Sequence, residues 1–225
     1  MNLRHELKYT INPTQAEYLK EQLTKIMTLD RNALKDKSYT VRSLYFDTLN
    51  SSAFYDKMDG IEFRKKYRIR YYNFDESFIR LECKEKLDDM CHKTQFRISK
   101  EMALMVMKKD LNSIPLSEYN LFTDFVMELK LNHLVPSIII DYKRTAFVQD
   151  ALDVRITFDE QVSTRCFDLD FFSRRFVNQS IFNPNEVILE VKYNTILPIH
   201  IHHLLNSVVV NNQAISKFAL GRDKK

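Results

Sequence analysis

Short runs in which basic side chains alternate with apolar ones recur along this chain, and they restrict its fold more than any other feature. Successive side chains of a β-strand point to opposite faces, so alternation at period two reads as a strand with one charged face and one packing face. The clearest case is Arg64–Tyr72. One face carries Arg64, Lys66, Arg68 and Arg70; the other carries Lys65, Tyr67, Ile69 and Tyr71. The run holds no Gly or Pro and is rich in aromatic and β-branched residues, as strands are. Like charges along one face repel, so such a row needs an anion, carboxylates or open water opposite it. Taken alone the run also fits a solvated edge strand. The other strands decide.

Six further segments repeat the pattern. Residues 3–11 place Arg4, Glu6 and Lys8 on one face, and residues 77–86 place Arg80, Glu82, Lys84 and Lys86 there. Met90–Ile98 carries Lys93 and Arg97, residues 137–149 carry Tyr142 and Arg144, residues 154–162 carry Arg155, Thr157 and Asp159, and residues 186–194 carry Glu190 and Lys192. Residues 39–47 form another strand, with Leu44 and Phe46 opposed to Ser43, Tyr45 and Asp47. Between the strands the period changes to that of helices. Pro13 opens one, with the stripe Ala16, Leu19, Leu23, Ile26 and Met27. A short helix is expected over 49–58, ended by Asp59 and Gly60. Ser99 caps another reaching Lys109, and further helices fall within 115–133 and 198–210. Residues 163–184 show no clear period, and Ser216, Lys217 and Phe218 precede a polar tail. No linker, composition shift or repeat divides residues 1–225, which read as a single domain.

Composition narrows the function. The 34 basic residues are nearly balanced by 30 acidic ones, leaving a net charge of +4, too mild for a general nucleic-acid binder. Only two glycines occur, Gly60 and Gly221. Phosphate-cradling loops need several glycines for close backbone approach, so Walker, Rossmann and kinase-type sites are excluded. Any phosphate must be held by side chains. Cys83, Cys91 and Cys166 form no CxxC pair and read as reduced thiols used in packing. The charged N-terminus lacks the apolar core of a signal peptide, and no run approaches the ~20 apolar residues of a membrane span. A cytoplasmic protein with no membrane span is expected. His200, His202 and His203 lack Cys or carboxylate company and are set aside as metal ligands. The aromatic residues Phe167, Phe171, Phe172 and Phe176 read as core or lid.

The recurrent charged faces predict an α+β fold: an antiparallel sheet closed into a barrel, charged faces inward and apolar faces under helices. A cation-crowded interior is unstable unless it is hydrated or holds a polyanion, which points to a ligand with many phosphates. Glu6, Glu82, Asp159 and Glu190 lie on the basic faces. They either hold a hard divalent cation or simply neutralise neighbouring Lys and Arg.

Nine motifs in order carry a family resemblance: Arg4-x-Glu6-x-Lys8-Tyr9, Ser43-x-Tyr45-Phe46-Asp47, Arg68-x-Arg70-Tyr71, Glu82-x-Lys84, Lys93-x-x-Phe96, Tyr142-x-Arg144, Arg155-x-Thr157-x-Asp159, Glu190-x-Lys192 and Ser216-Lys217-Phe218. Together they resemble the polyphosphate polymerase domain of the vacuolar transporter chaperone (VTC) family, one of the triphosphate tunnel metalloenzymes related to the CYTH superfamily. The resemblance implies an eight-stranded antiparallel tunnel. It implies that Lys8, Arg68, Arg70, Lys84, Arg144, Arg155 and Lys217 act on the phosphates, with Lys93, Tyr142 and Ser216 helping to bind them. Glu190 would be the principal ligand of Mn²⁺ or Mg²⁺, with Glu6 and Glu82 as further metal candidates. The implied activity is transfer of the γ-phosphoryl group of ATP to a growing polyphosphate chain.

Eukaryotic members of that family also carry membrane helices and a phosphate-sensing SPX domain, and this sequence contains neither. Glu6 adds a carboxylate beside Lys8, which leans toward relatives that hydrolyse triphosphate. The expected ligands are therefore ATP, triphosphate or polyphosphate, with a triphosphatase and a non-catalytic polyphosphate-binding module as alternatives. Nucleic acid is not expected, because inward-facing basic residues would not meet a duplex. Oligomeric state is not legible.

Overall fold

The computed structural model describes residues 5–87, 90–112, 114, 121–174, 177–183, 185–208 and 212–223. In chain order the strands are β1 (His5–Ile11), β2 (Thr28–Leu29), β3 (Tyr39–Thr48), β4 (Arg64–Tyr72), β5 (Asp75–Leu87), β6 (Met90–Ile98), β7 (Leu134–Gln149), β8 (Val154–Cys166), β9 (Gln179–Ser180) and β10 (Val187–Tyr193). The helices are α1 (Pro13–Leu23), α2 (Ser52–Met58), α3 (Lys100–Met107), α4 (Leu121–Leu131), α5 (Ile199–Asn206) and α6 (Lys217–Asp223). The α+β class and the eight long antiparallel strands expected from the alternation are present, and β2 and β9 add two residues each.

The chain forms two compact units, each assembled from three stretches of sequence. The first comprises residues 1–40, 142–162 and 182–216; the second comprises 41–141, 163–181 and 217–225.

In the first unit β10 pairs with β1 on one side and β8 on the other. Its apolar face is covered by α1 and α5. Ala16, Leu19 and Leu23 pack with Val154, Ile156, Phe158, Leu189, Val191, Ile201 and Leu205. Helix α1 starts where expected because Asn12 and Gln15 form a capping box. Asn12 accepts from the Gln15 backbone N–H, and the Gln15 side chain accepts from the Asn12 N–H. The apolar stripe is shorter than expected. The helix stops at Leu23, leaving Ile26 40% exposed in the following turn while Met27 is buried.

In the second unit β3, β4, β5 and β6 pair in that order. The hairpin between β4 and β5 turns at Asn73 and Phe74, both with positive φ (51° and 56°), as a tight two-residue turn requires. Helices α3 and α4 cover its apolar face, with Ala103, Val106, Phe122, Phe125 and Val126 against Tyr67, Ile69, Ile79, Leu81 and Cys83. Ser99 accepts from the Met102 N–H and caps α3 as its position predicted. Phe171 joins this core, and Phe167 and Phe172 pack against it. The unread stretch 163–184 includes the end of β8 and the short β9, paired through Ser163 and Thr164. Lys217, Phe218 and the first residues of the expected polar tail together form α6, which buries Phe218 and Ala219. Its Gly221 is packed tightly: a Cβ there would meet the side chains of Ile138 and Thr164 at 3.1 Å. Several expected features lie outside the described residues: Leu3 and Arg4, the start of the 115–133 helix through residue 120, Phe176, residues 209–210, and the side chain of Cys91.

Phe125 is fully buried, its ring edge-on to Phe46 at 4.8 Å and 5.1 Å from Tyr67. Replacing it with Ala is expected to cost about 3–5 kcal/mol, read as a lowered urea midpoint at unchanged slope. A midpoint within error of wild type would show that this core is not the one described.

Candidate functional site

Each unit presents one polar sheet face, and the two faces differ in charge. On the second unit, cross-strand register stacks residues of β4, β5 and β6 into rows: Arg64 with Lys86, Lys66 with Lys84 and Lys93, Arg68 with Glu82 and Gln95, and Arg70 with Arg80 and Arg97. Nine of these side chains are basic and one is acidic. Three of these rows consist of cations alone, an arrangement that is destabilising when like charges stand directly opposite.

Glu82 is the acid, 1% exposed and held by three cations. Arg68 Nε donates to Oε2 at 2.6 Å, Lys93 Nζ donates to Oε1 at 2.5 Å, and Arg70 Nη1 lies 3.5 Å from Oε2. Burial opposes ionisation of Glu82, but Arg68, Arg70 and Lys93 hold its carboxyl well below the usual range. Strand β3 adds neutral donors and acceptors: Arg68 donates to the Tyr45 hydroxyl at 3.0 Å and Arg70 donates to Ser43 Oγ at 2.9 Å. Burial would raise the Tyr45 phenol, yet Arg68, Arg70 and Lys217 bring it down to about 8. Lys217, at the start of α6, thus belongs to the same field as Arg68 and Arg70. Ser216 immediately precedes it and is half-buried.

Lys66 carries more than its sequence position suggested, which was only an extension of the charged row. Among the described residues no carboxylate pairs with it, and its Nζ sits 4.7 Å from the centre of the Phe218 ring. Burial, reinforced by Arg64 and Lys57, pushes its ammonium down to about 8. Sequence alternation shows which face a lysine occupies; the ring that covers it comes from α6, 152 positions along the chain from Lys66 to Phe218.

On the first unit the polar face is mixed. Lys8 lies opposite Glu190 and Thr157, and Glu6 lies opposite Lys192 and Arg155. The carboxyls of Glu6 and Glu190 are within hydrogen-bonding reach of each other. Lys8 Nζ is 3.6 Å from Glu6 and 3.7 Å from Glu190, and Lys192 Nζ is 3.3 Å from Glu6 and 3.1 Å from Glu190. Burial and mutual repulsion disfavour two carboxylates here, but Lys192 and Lys8 hold both below their ordinary range. Arg144 forks onto buried Asp159 with bonds of 2.6 and 2.7 Å, and its Nη2 lies 3.9 Å from Glu190. Its guanidinium stacks 5.1 Å from the centre of the buried Tyr142 ring. Arg155 pairs with Asp30 at 2.5 Å and donates to the Tyr39 hydroxyl at 3.1 Å.

The predicted site residues therefore fall into two groups. Arg68, Arg70, Lys84, Lys93, Lys217 and Glu82 belong to the second unit; Lys8, Arg144, Arg155, Tyr142, Ser216, Glu6 and Glu190 belong to the first. Glu82 is engaged by cations, whereas Glu6 and Glu190 form a carboxyl pair. Among the described residues no three carboxylate, imidazole or thiol groups converge as a ready-made metal cage. The Glu6–Glu190 pair nevertheless fits a hard divalent ion, because such ions are commonly held by one or two carboxylates with substrate phosphates completing the shell. The Thr157 hydroxyl, enclosed and directly across from Glu190, is a buried polar group with no hydrogen-bond partner among the described residues. Thr157 and Lys66 are among the residues that sequence reasoning did not single out as site residues, as are Ser43, Tyr45 and Lys192.

The fold is shared with solved proteins of low sequence identity. A protein of Bacillus halodurans described as a candidate adenylate cyclase matches with TM-score 0.58 at 14% identity, covering 97% of this chain and 99% of its own. A Hippeastrum protein, described as a candidate adenylyl cyclase with a dominant triphosphatase activity, matches with TM-score 0.57 at 17% identity, covering 100% of this chain and 97% of its own. Among curated proteins none matches. The chain itself belongs to the VTC domain family, whose model matches residues 3–224. No helix among the described residues is long and apolar enough to cross a membrane.

Glu82 yields a stability prediction with a defined sign. Because its folded carboxyl sits below the unfolded value of ~4.3, its contribution is fully present above that value and is lost as pH falls toward the folded one. Glu82→Gln is expected to cost about 3–5 kcal/mol at pH 7, since it leaves Arg68, Arg70 and Lys93 facing one another. The variant should then lose less additional stability than wild type between pH 5 and pH 3. Parallel acid-induced loss in both proteins would remove Glu82 as the keystone of the face.

Proposed function

We propose that the chain is a divalent-metal-dependent polyphosphate polymerase that transfers the γ-phosphoryl group of ATP to a growing polyphosphate chain. The observation that carries this reading is the β4-β5-β6 face, where nine basic side chains surround a single acid. One carboxylate cannot neutralise that field; an extended polyanion can. Membership in the VTC domain family supports the same substrate class.

The residues suit phosphoryl transfer, which depends on positioning and charge neutralisation more than on a covalent nucleophile. The guanidinium groups of Arg68 and Arg70 can fork onto phosphate oxygens while Ser43 and Tyr45 hold their planes. Lys84, Lys93 and Lys217 supply point charges along the same face, and Lys8, Arg144 and Arg155 supply them on the first unit, where Tyr142 and Ser216 can hydrogen-bond phosphate oxygens. Glu190, with Glu6, would hold Mn²⁺ or Mg²⁺. When bound, such an ion neutralises phosphate charge. Glu82 could serve as a ligand only by giving up at least one of its three cations. We place the reaction in the cytoplasm.

Hydrolysis of triphosphate is the second reading, favoured by the Glu6–Glu190 pair and by the triphosphatase activity named for the Hippeastrum relative. Incubation with ATP and Mn²⁺ separates the two. Long-chain polyphosphate on a gel supports the polymerase, orthophosphate without polymer supports the hydrolase, and tight polyphosphate binding without turnover would make the domain a binding module. Arg70→Ala is expected to lower kcat/KM by about 10²-fold or more, with the variant's thermal unfolding recorded as a control.

Lys66 adds a pH signature. A bound polyanion raises the ammonium from its value of about 8, so binding near pH 8 takes up protons. Calorimetry of polyphosphate binding in two buffers of different ionisation enthalpy should show net uptake at pH 8, reduced in Lys66→Met. Equal uptake in both proteins would place the anion away from Lys66.

A further inference from the structure

The Thr157 hydroxyl is an anomaly in the first unit. The residue is 1% exposed, its Oγ1 is enclosed, and it has no hydrogen-bond partner among the described residues. A buried hydroxyl left unpaired costs about 1–3 kcal/mol, and native structures tolerate few such groups. The surroundings are not apolar. Thr157 stands directly across from Glu190 in the antiparallel β8-β10 pair, on the face shared by Arg155 and Asp159. Ile156 and Phe158, its neighbours in sequence, point into the apolar core instead. Side chains directly opposite on one face of such a pair have Cβ atoms about 4.5–5.5 Å apart, close enough for a hydroxyl to reach a carboxylate after a χ1 change.

Glu190 does not need that donor while its cations are in place. Lys192, Lys8 and Arg144 all lie within 3.9 Å of it. All three are also groups that a phosphate ligand would draw toward itself. Once they turn to phosphate, Glu190 would be left buried with fewer partners at the moment it has to keep a fixed orientation.

We propose that Thr157 is a positioning residue for Glu190: its hydroxyl donates to the Glu190 carboxylate in the loaded state and holds it for a divalent cation. This rests on the reading of Glu190 as a metal ligand. Asp159 cannot take the same part, because it is an acceptor already forked by Arg144. Arg155 is engaged by Asp30 and Tyr39. Thr157 is the neighbour with a proton to donate and nothing fixed to receive it. Partners that orient a metal ligand from behind typically change metal affinity by about 10–100-fold when removed.

The test uses Thr157→Val, which keeps the shape and deletes the hydroxyl, with Thr157→Ser as the rescue and Glu190→Gln as the control on the underlying reading. Mn²⁺ binding is measured by electron paramagnetic resonance with tripolyphosphate present, alongside thermal unfolding of the ligand-free proteins. Thr157→Val is expected to weaken Mn²⁺ binding about 10-fold or more and to leave ligand-free stability unchanged or raised, because an unpaired hydroxyl has been removed. Thr157→Ser should restore Mn²⁺ affinity. If Glu190→Gln weakens Mn²⁺ binding while Thr157→Val does not, the positioning role is overturned and the metal site stands. If Glu190→Gln leaves Mn²⁺ binding intact, the metal reading of Glu190 fails, and the role of Thr157 falls with it. A ligand-free Thr157→Val protein that is clearly less stable would show the hydroxyl to be partnered already, which also overturns the proposal.

Discussion

The structure depends on how few carboxylates hold many cations in place on polar sheet faces. Glu82 does this for Arg68, Arg70 and Lys93. Asp159 does it for Arg144, and the Glu6–Glu190 pair does it for Lys8 and Lys192. Each acid is wholly or largely buried, so its attraction acts in a medium less polarisable than water, and so does the repulsion among the cations. The balance differs between the units. On the first, acids and bases are close to matched. On the β4-β5-β6 face the bases outnumber the acid by nine to one, and the surplus is what a polyanion would neutralise.

That division of labour explains why the two groups of predicted residues behave differently although each was read as part of one basic pattern. Where acids pair with bases, the side chains are pre-oriented by fork-like contacts such as Arg144 on Asp159. Where cations stand abreast, orientation comes from neutral groups, with Ser43 and Tyr45 steering Arg70 and Arg68, and from an aromatic ring over Lys66. The apolar faces do the remaining work: α1 with α5, and α3 with α4, cover the opposite sides of the strands and leave the charged faces as the surfaces available for chemistry.

Much of this was legible in the chain. The bounds of β4 and β6, the opening of α1 at Pro13 and the Ser99 cap follow from local rules, because alternation and capping act over a few residues. The α6 helix was not legible. The residues after Phe218 read as a polar tail because, besides the glycine, only Ala219 among them is buried. Ile26 was misplaced for the opposite reason: it continued the α1 stripe in sequence, but the helix ended three residues earlier.

Period and composition alone carried the class of fold and the face each charged side chain occupies, and the many cations beside only two glycines pointed toward a phosphate ligand held by side chains. Both are local. Only the tertiary structure decided which acid meets which base: that Glu82 is wrapped by three cations, that Glu6 and Glu190 stand together, that Lys66 lies under Phe218, and that Thr157 faces Glu190 with its hydroxyl uncommitted. Such pairings are set by the register between strands distant in the chain, and the alternation of any one strand is the same whichever partner it meets.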